Sequence, residues 1–164
     1  MIFVAVGTQK FQLNRLLQIL DQLVENGVIQ ELVFAQTGHS DYIPRCFDST
    51  PFLSKNQFEE MIAHCDLVIT HSGVGTILCG IMHGKPVIVF PRLAKYGEHV
   101  DDHQLQIAES FLKQNLVLVC LEDDSIVELA QKAREHVFSR YISQRDTVIQ
   151  TIRLFLSQIQ EEKK

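Results

Sequence analysis

The residues best suited to chemistry follow an apolar run at positions 66–70, where the chain continues as HSGVGTILCG over positions 71–80. Gly73 and Gly75 allow the backbone to turn tightly and to come close to a ligand. The helix predicted after them presents unpaired N–H groups and the positive end of its dipole, which suits a diphosphate. Further hydroxyl donors are available from Ser72 and Thr76. This pattern predicts a diphosphate-binding turn.

The spacing argues against two common nucleotide-binding patterns. The segment does not match G-x-G-x-x-G, it does not follow the first predicted strand, and no acidic residue ends the next strand to hold a ribose, so NAD is not expected. The segment also does not match G-x-x-x-x-G-K-[ST], which excludes a P-loop nucleoside triphosphatase. A turn with a purely structural role remains the alternative.

Apolar runs and helical periodicities alternate along the chain and must position this turn. Continuous apolar runs predict buried strands at 2–6, 31–35, 67–70, 87–90 and 117–120, with a further short strand near 47–52. Helices are predicted at 13–24, 54–63, 75–83 and 101–115, from about 125, and over a final segment around 148–159. The helix at 54–63 opens with a capping box of Ser54 and Gln57. The alternation predicts an α/β fold, a single Rossmann-like domain whose parallel sheet has helices on both faces.

Composition sets the broad class. Hydrophobic residues make up 46% of the 164 positions and charged residues 21%, which suits one compact domain over residues 1–164. The net charge of −5 disfavours nucleic acid as a partner, so an anionic ligand needs local donors. We recognise no signal peptide and no apolar run near the ~20 residues of a membrane span, so a cytoplasmic protein is expected.

Ligands of parallel sheets bind beyond the carboxyl ends of the strands. This rule selects three loops, at 7–9, 71–76 and 91–100. The third begins the segment PRLAKYGEHVDDHQLQIAE at 91–109. Together with DLVITHSGVGTI and the N-terminal VGTQKFQLNRL, it resembles the nucleotide-sugar-binding half of GT-B glycosyltransferases, the family 28 type. The resemblance is closest to soluble subunits of two-component UDP-sugar transferases of bacterial capsule and exopolysaccharide synthesis. It extends to the cytosolic subunit of the eukaryotic dolichol-linked N-acetylglucosaminyltransferase.

The resemblance implies roles for individual residues. It implies that the donor phosphates are approached by Gly7 and Thr8 and bound by the turn of His71, Ser72, Gly73, Gly75 and Thr76. It implies that His103 and Gln104 face the hydroxyl groups of the donor sugar. Many relatives carry a glutamate for the ribose at the position of Cys79, and a thiol cannot accept two hydrogen bonds in that way. The mode of ribose recognition is left open.

Other candidates come from the residues themselves. Arg92 is placed at the ligand edge, where it either stabilises a departing diphosphate or lies on the surface. Glu98 and His99 are the candidates for the base that deprotonates an acceptor hydroxyl, unless another polypeptide supplies it. His99 and His103 lack a third well-spaced ligand, so we predict no metal and no cofactor beyond the UDP-sugar substrate.

The resemblance implies the donor-binding catalytic subunit of a UDP-hexose transferase, a hexosyltransferase. Galactose or glucose would be transferred to a polyprenyl-diphosphate-linked saccharide during capsule or exopolysaccharide biosynthesis. The alternatives are a UDP-N-acetylglucosamine transferase subunit and a non-catalytic nucleotide-sugar-binding module. The chain has room for only the donor half, so a membrane-anchored acceptor-binding subunit is expected to recruit it peripherally to the cytoplasmic face of the membrane. The apolar side of the final helix either docks that partner or packs on its own sheet.

Overall fold

The computed structural model describes residues 1–161, in which strands and helices largely alternate along the chain. The strands are β1 (Ile2–Ala5), β2 (Val33–Gln36), β3 (Asp48–Thr50), β4 (Leu67–Thr70), β5 (Val87–Val89) and β6 (Leu118–Val119). The helices are α1 (Asn14–Glu25), α2 (Lys55–His64), α3 (Val74–Met82), α4 (His103–Lys113), α5 (Ile126–Glu135) and α6 (Arg145–Glu161), with a 3₁₀ turn at Ala94–Tyr96.

The strands form one parallel sheet in the order β3-β2-β1-β4-β5-β6. The chain moves outward from β1 to β3 and then returns to pair β4 with the other side of β1. The strand order therefore reverses between β1 and β4, the position where open α/β sheets form a binding crevice. The predicted α/β fold with a parallel sheet is confirmed.

Both faces of the sheet are covered because both sets of alternating side chains on the strands are apolar. One face of β1 carries Ile2 and Val4, which pack with the leucines of α1 and with α5. The other face carries Phe3 and Ala5, which pack with residues of α2, α3 and α4. The predicted helices on both faces are confirmed, and the two layers hold the strand ends in fixed positions.

Local side-chain chemistry sets several element boundaries. The Ser54 side chain accepts a hydrogen bond from the Gln57 amide, and the Gln57 side chain accepts one from the Ser54 amide, so the predicted capping box is present. The predicted helix at 101–115 begins later, at His103. Asp101 and Asp102 are occupied in the preceding turn, where they accept hydrogen bonds from the amides of His103 and Ala94.

The final helix α6 exposes much of its apolar side. About half or more of the surface of Val148, Ile152, Phe155 and Leu156 is exposed. The alternative in which the apolar side of this helix packs on the sheet is therefore wrong for Ile152, Phe155 and Leu156, whereas Ile149 and Ile159 are half-buried. Within residues 1–161, no helix is long and apolar enough to cross a bilayer.

Candidate functional site

A cavity of about 650 Å³ lies beyond the carboxyl ends of β1 and β4, at the reversal of strand order. Two of the loops selected from the sequence, at positions 7–9 and 71–76, line this cavity. From the third loop, at 91–100, His99 lines it. The start of α4 contributes His103 and Gln104. All but two of the residues predicted for the site therefore lie around one cavity. The exceptions are Arg92 and Glu98.

The first turn of α3 presents backbone donors to this cavity. Gly73 is the N-cap residue, and no side chain caps the helix among the residues described. The first N–H groups of a helix have no partner within it, so those of α3 remain for a ligand. A Cβ atom added at Gly75 would meet no described atom within 4 Å. Open space at Gly75 lets a ligand reach the backbone of this turn.

The imidazole of His71 lies beneath the turn and packs closely against Gly7 and Gly73. A Cβ atom at Gly7 would be 2.6 Å from its Nε2, and one at Gly73 would be 2.5 Å from its Cε1. Its Nδ1 lies 3.3 Å from the Ala5 carbonyl oxygen and 3.3 Å from the Thr70 hydroxyl, which itself donates to Ala5. Because both groups can accept, the neutral ring carries its proton on Nδ1 and leaves a lone pair on Nε2. Burial, followed by the charge of Arg92, lowers the pKa of His71 to about 4.

Gln104 connects two of the loops. Its Oε1 accepts hydrogen bonds from the backbone amides of Ser72, at 3.3 Å, and Arg92, at 3.0 Å. These two donors fix the orientation of the side-chain amide, so its Nε2 donor is left for other acceptors. The buried Ser72 hydroxyl has no hydrogen-bond partner within the described chain. An unpaired buried hydroxyl costs roughly 1–3 kcal/mol, a cost that a ligand acceptor would remove.

Arg92 occupies neither of its two predicted positions. It is completely buried and does not line the cavity, because its guanidinium points under the first loop. There it donates hydrogen bonds to the carbonyl oxygens of Val6, Phe11 and Gln12, at 2.5, 3.0 and 3.2 Å. Burial lowers the pKa of Arg92 to about 10, so it stays charged at neutral pH. Arg92 therefore neither faces a diphosphate site nor lies on the surface, and instead it holds the first loop in place.

Glu98 also points away from the cavity. Its carboxylate is buried against Arg15 of α1, with Nη2–Oε2 and Nε–Oε1 distances of 2.9 and 3.1 Å. It also accepts a hydrogen bond from the Leu93 amide at 3.0 Å. Both carboxylate oxygens are thus occupied by protein donors on the side away from the cavity. The geometry therefore gives Glu98 a structural role in the third loop instead of the predicted role as a base.

His99 does line the cavity and has the surroundings of a base. Its Nδ1 lies 3.0 Å from Oδ1 of Asp101, and its ring packs against Phe11 with centroids 4.7 Å apart. A carboxylate on one ring nitrogen orients the imidazole and leaves the other nitrogen for a substrate proton. Asp101 also accepts from the His103 amide, and this hydrogen bond, followed by His99, lowers the pKa of Asp101.

The sequence prediction missed the wall of the cavity that α2 forms. Lys55, Phe58 and Glu59 line it opposite Cys79 of α3. Their spacing of i, i+3 and i+4 after the capping box places them on one helix face, a signal that was available in the sequence. Within the described residues, no group of three or more histidine, cysteine, aspartate or glutamate side chains could hold a metal ion.

Curated relatives give this site a family context. The chain is 28% identical over 130 residues to the UDP-N-acetylglucosamine transferase subunit ALG13 of Mus musculus, covering 72% of the chain and 10% of the mouse protein. It is 29% identical over 127 residues to the subunit of the same name from Homo sapiens, covering 73% and 11%. With the subunit from Candida albicans it is 34% identical over 80 residues, covering 49% and 25%. The chain thus spans about a tenth of the length of the two mammalian relatives.

Solved structures agree on the fold. The glycosyltransferase SnogD from Streptomyces nogalater aligns with a TM-score of 0.55 at 15% identity, over 82% of this chain and 36% of that one. MurG from Acinetobacter baumannii aligns with a TM-score of 0.52 at 18% identity, over 82% and 45%. The family model for the glycosyltransferase family 28 C-terminal domain matches residues 1–158. The chain therefore belongs to the glycosyltransferase family 28 C-terminal domain family.

Proposed function

We propose that this chain binds the UDP part of UDP-N-acetylglucosamine and acts as the donor-binding half of a glycosyltransferase. The observation that carries the proposal is the first turn of α3, with its uncapped N–H groups and the open space at Gly75 facing the cavity. A diphosphate needs such donors, and the chain offers them locally despite its net charge of −5. Preorganised donors of this kind would also stabilise UDP as the leaving group.

The relatives support one choice of donor sugar over the others. The curated relatives are named as UDP-N-acetylglucosamine transferase subunits, which supports N-acetylglucosamine over the galactose or glucose expected from the sequence. We place the sugar beside His103 and the Nε2 donor of Gln104, on the α4 side of the cavity. UDP-galactose and UDP-glucose are the competing donors in the test below.

His99 is the residue of this chain that we assign as the base. Asp101 orients its ring, and the cavity gives it access to the reacting groups. In this proposal the base removes the proton of the acceptor hydroxyl as the bond between the sugar and UDP breaks. The acceptor itself, a polyprenyl-diphosphate-linked saccharide, would be held by a second subunit.

The exposed side of α6 is the proposed contact with that subunit. Exposed Ile152, Phe155 and Leu156 form an apolar surface on a helix outside the sheet layers. The relatives' description as subunits supports a partner. We propose that the partner is membrane-anchored and recruits this chain to the cytoplasmic face of the membrane, where neither cofactor nor nucleic acid is required.

Calorimetric titration tests the proposal. The purified chain is titrated with UDP, UDP-N-acetylglucosamine, UDP-galactose, UDP-glucose and NAD. We expect UDP to bind, UDP-N-acetylglucosamine to bind more tightly than the two hexose donors, and NAD not to bind. His103→Ala should weaken the sugar nucleotide while leaving UDP unchanged, and Ser110→Ala, also on the exposed side of α4, is the matched control.

The outcomes separate the alternatives. Tight NAD binding, or no binding of UDP at millimolar concentration, would contradict the proposal. A preference for UDP-galactose or UDP-glucose would instead support the galactose or glucose donor expected from the sequence. If UDP-N-acetylglucosamine binds but no sugar is transferred with the acceptor subunit present, the chain is a non-catalytic binding module.

A further inference from the structure

The cavity continues beyond the α3 turn into a space between α2 and α3. Its walls there are formed by Leu53, Lys55, Phe58 and Glu59 on one side and by Cys79 on the other. Under the proposed function, the diphosphate lies at the first turn of α3 and the sugar lies toward α4. The nucleoside must then extend in the remaining direction, into this space between α2 and α3.

A ribose offers two hydroxyl groups, and recognising both requires strong acceptors. Cys79 is poorly suited, because a thiol is only a weak acceptor. Burial, followed by the charge of Glu59, raises the pKa of Cys79, so its thiol stays neutral. Its sulfur contacts Nδ1 of His83 at 3.9 Å, on the next turn of its own helix.

Glu59 has the chemistry that Cys79 lacks. Among the described residues that line the cavity, it is the only one with a carboxylate. It lines the same cavity as Cys79, and its charge contributes to the raised pKa of that thiol. Its one ion pair, with Lys55 at 3.8 Å, is a solvent-exposed pair of a kind that contributes little, so its oxygens remain available.

We propose that Glu59 is the residue of this chain that recognises the ribose, accepting hydrogen bonds from its hydroxyl groups across the space between α2 and α3. This inference rests on the proposed function and deepens it. It moves the acidic partner of the ribose from α3, where the family resemblance would place it, to α2. Specificity for ribonucleotides then depends on the packing of α2 against α3, which the contacts between these helices maintain.

The test compares UDP with 2′-deoxy-UDP, which lacks one of the two hydroxyl groups. We expect wild-type protein to bind UDP about tenfold or more tightly than 2′-deoxy-UDP, in line with a hydrogen bond to a charged group. In Glu59→Ala this preference should disappear, because both nucleotides lose the hydrogen bond from the 3′-hydroxyl but only UDP also loses the one from the 2′-hydroxyl. Glu60→Ala is the matched control: it is a neighbouring exposed glutamate of α2 that does not line the cavity.

A second variant tests the position of the ribose. Cys79→Glu, made in the Glu59→Ala background, places a carboxylate on the opposite wall and should restore the preference for UDP. Equal binding of the two nucleotides by wild-type protein would overturn the inference. An unchanged preference for UDP over 2′-deoxy-UDP in Glu59→Ala would also overturn the inference. The proposed function would then still stand, because UDP binds. Absence of UDP binding by wild-type protein would overturn both.

Discussion

Acid should destabilise this protein through His71. Its side chain is 7% exposed, and burial together with the charge of Arg92 lowers its pKa from 6.5 to about 4 in the folded state. Between these values the unfolded chain binds a proton at His71 and the folded chain does not. The free energy of unfolding is therefore fully retained above pH 6.5 and falls as the pH is lowered toward 4. The difference between the two pKa values corresponds to about 3 kcal/mol, at about 1.4 kcal/mol for each pH unit.

Two measurements check this expectation. An NMR titration of the histidine Cε1–H signals should show one signal with a midpoint near pH 4, assigned to His71 by its loss in His71→Asn. Urea unfolding of wild type and His71→Asn from pH 7 to pH 4 should show the difference between the two proteins shrinking by about 3 kcal/mol. His64→Asn, at an exposed position of α2, is the control and should change little. A midpoint near 6.5 in the folded protein would refute the reasoning that the ring is held neutral by its surroundings.

Three further predictions follow from the geometry of the site. Gly75→Ala should keep or raise stability, by up to about 1 kcal/mol, yet weaken UDP binding about tenfold or more, because its methyl group enters the cavity. Gly73→Ala should instead lower stability by roughly 1–3 kcal/mol, because its methyl group meets the His71 ring. Calorimetry measures the UDP affinity of both variants, and thermal unfolding measures their stability. Unchanged UDP affinity in Gly75→Ala would contradict the placement of the diphosphate. Arg92→Lys should lower the free energy of unfolding by about 2 kcal/mol and also weaken UDP binding, because one ammonium nitrogen cannot occupy both the Nε and the Nη2 positions from which Arg92 donates. Normal UDP affinity in this variant would show that the first loop needs no such support. With the acceptor subunit present, His99→Asn should reduce the rate of sugar transfer about 100-fold or more at unchanged UDP affinity. Glu98→Gln should mainly reduce stability. Loss of transfer in Glu98→Gln but not in His99→Asn would restore Glu98 as the base.

The order of elements could be predicted from the sequence because it depends on local patterns. Short apolar runs such as 67–70 predict buried strands, because they are only a few residues long, rich in β-branched residues and followed by turn residues. The capping box at Ser54 was equally readable, because both of its partners lie within three residues of each other. Glycines at 73 and 75 marked the turn, but only the structure shows that Gly73 makes room for the His71 ring whereas Gly75 opens onto the cavity.

The roles of the charged residues could not be predicted, because they depend on distant partners. Arg92 binds carbonyl groups that lie 80 or more positions earlier in the chain. Glu98 pairs with Arg15, which is 83 positions away and whose guanidinium also stacks on the rings of Phe90 and Tyr96. A pattern along the chain indicates that a charged residue is near a strand end, but only the packing of α1 decides which way it points.

Under the proposed function, the buried arginine would help an acidic chain to hold a diphosphate at this position. Within residues 1–161, no carboxylate lies within salt-bridge distance of Arg92, and its Nη1 has no hydrogen-bond partner. Taking a cation out of water costs several kcal/mol, and here its hydrogen bonds go to carbonyl groups while the more distant charge of Glu98 offsets part of that cost. His71 stays neutral chiefly because it is buried, and the charge of Arg92 lowers its pKa further. Under the proposed function, a diphosphate bound above this region would offset a further part of the cost, so the residue that orders the first loop would also favour the ligand without contacting it.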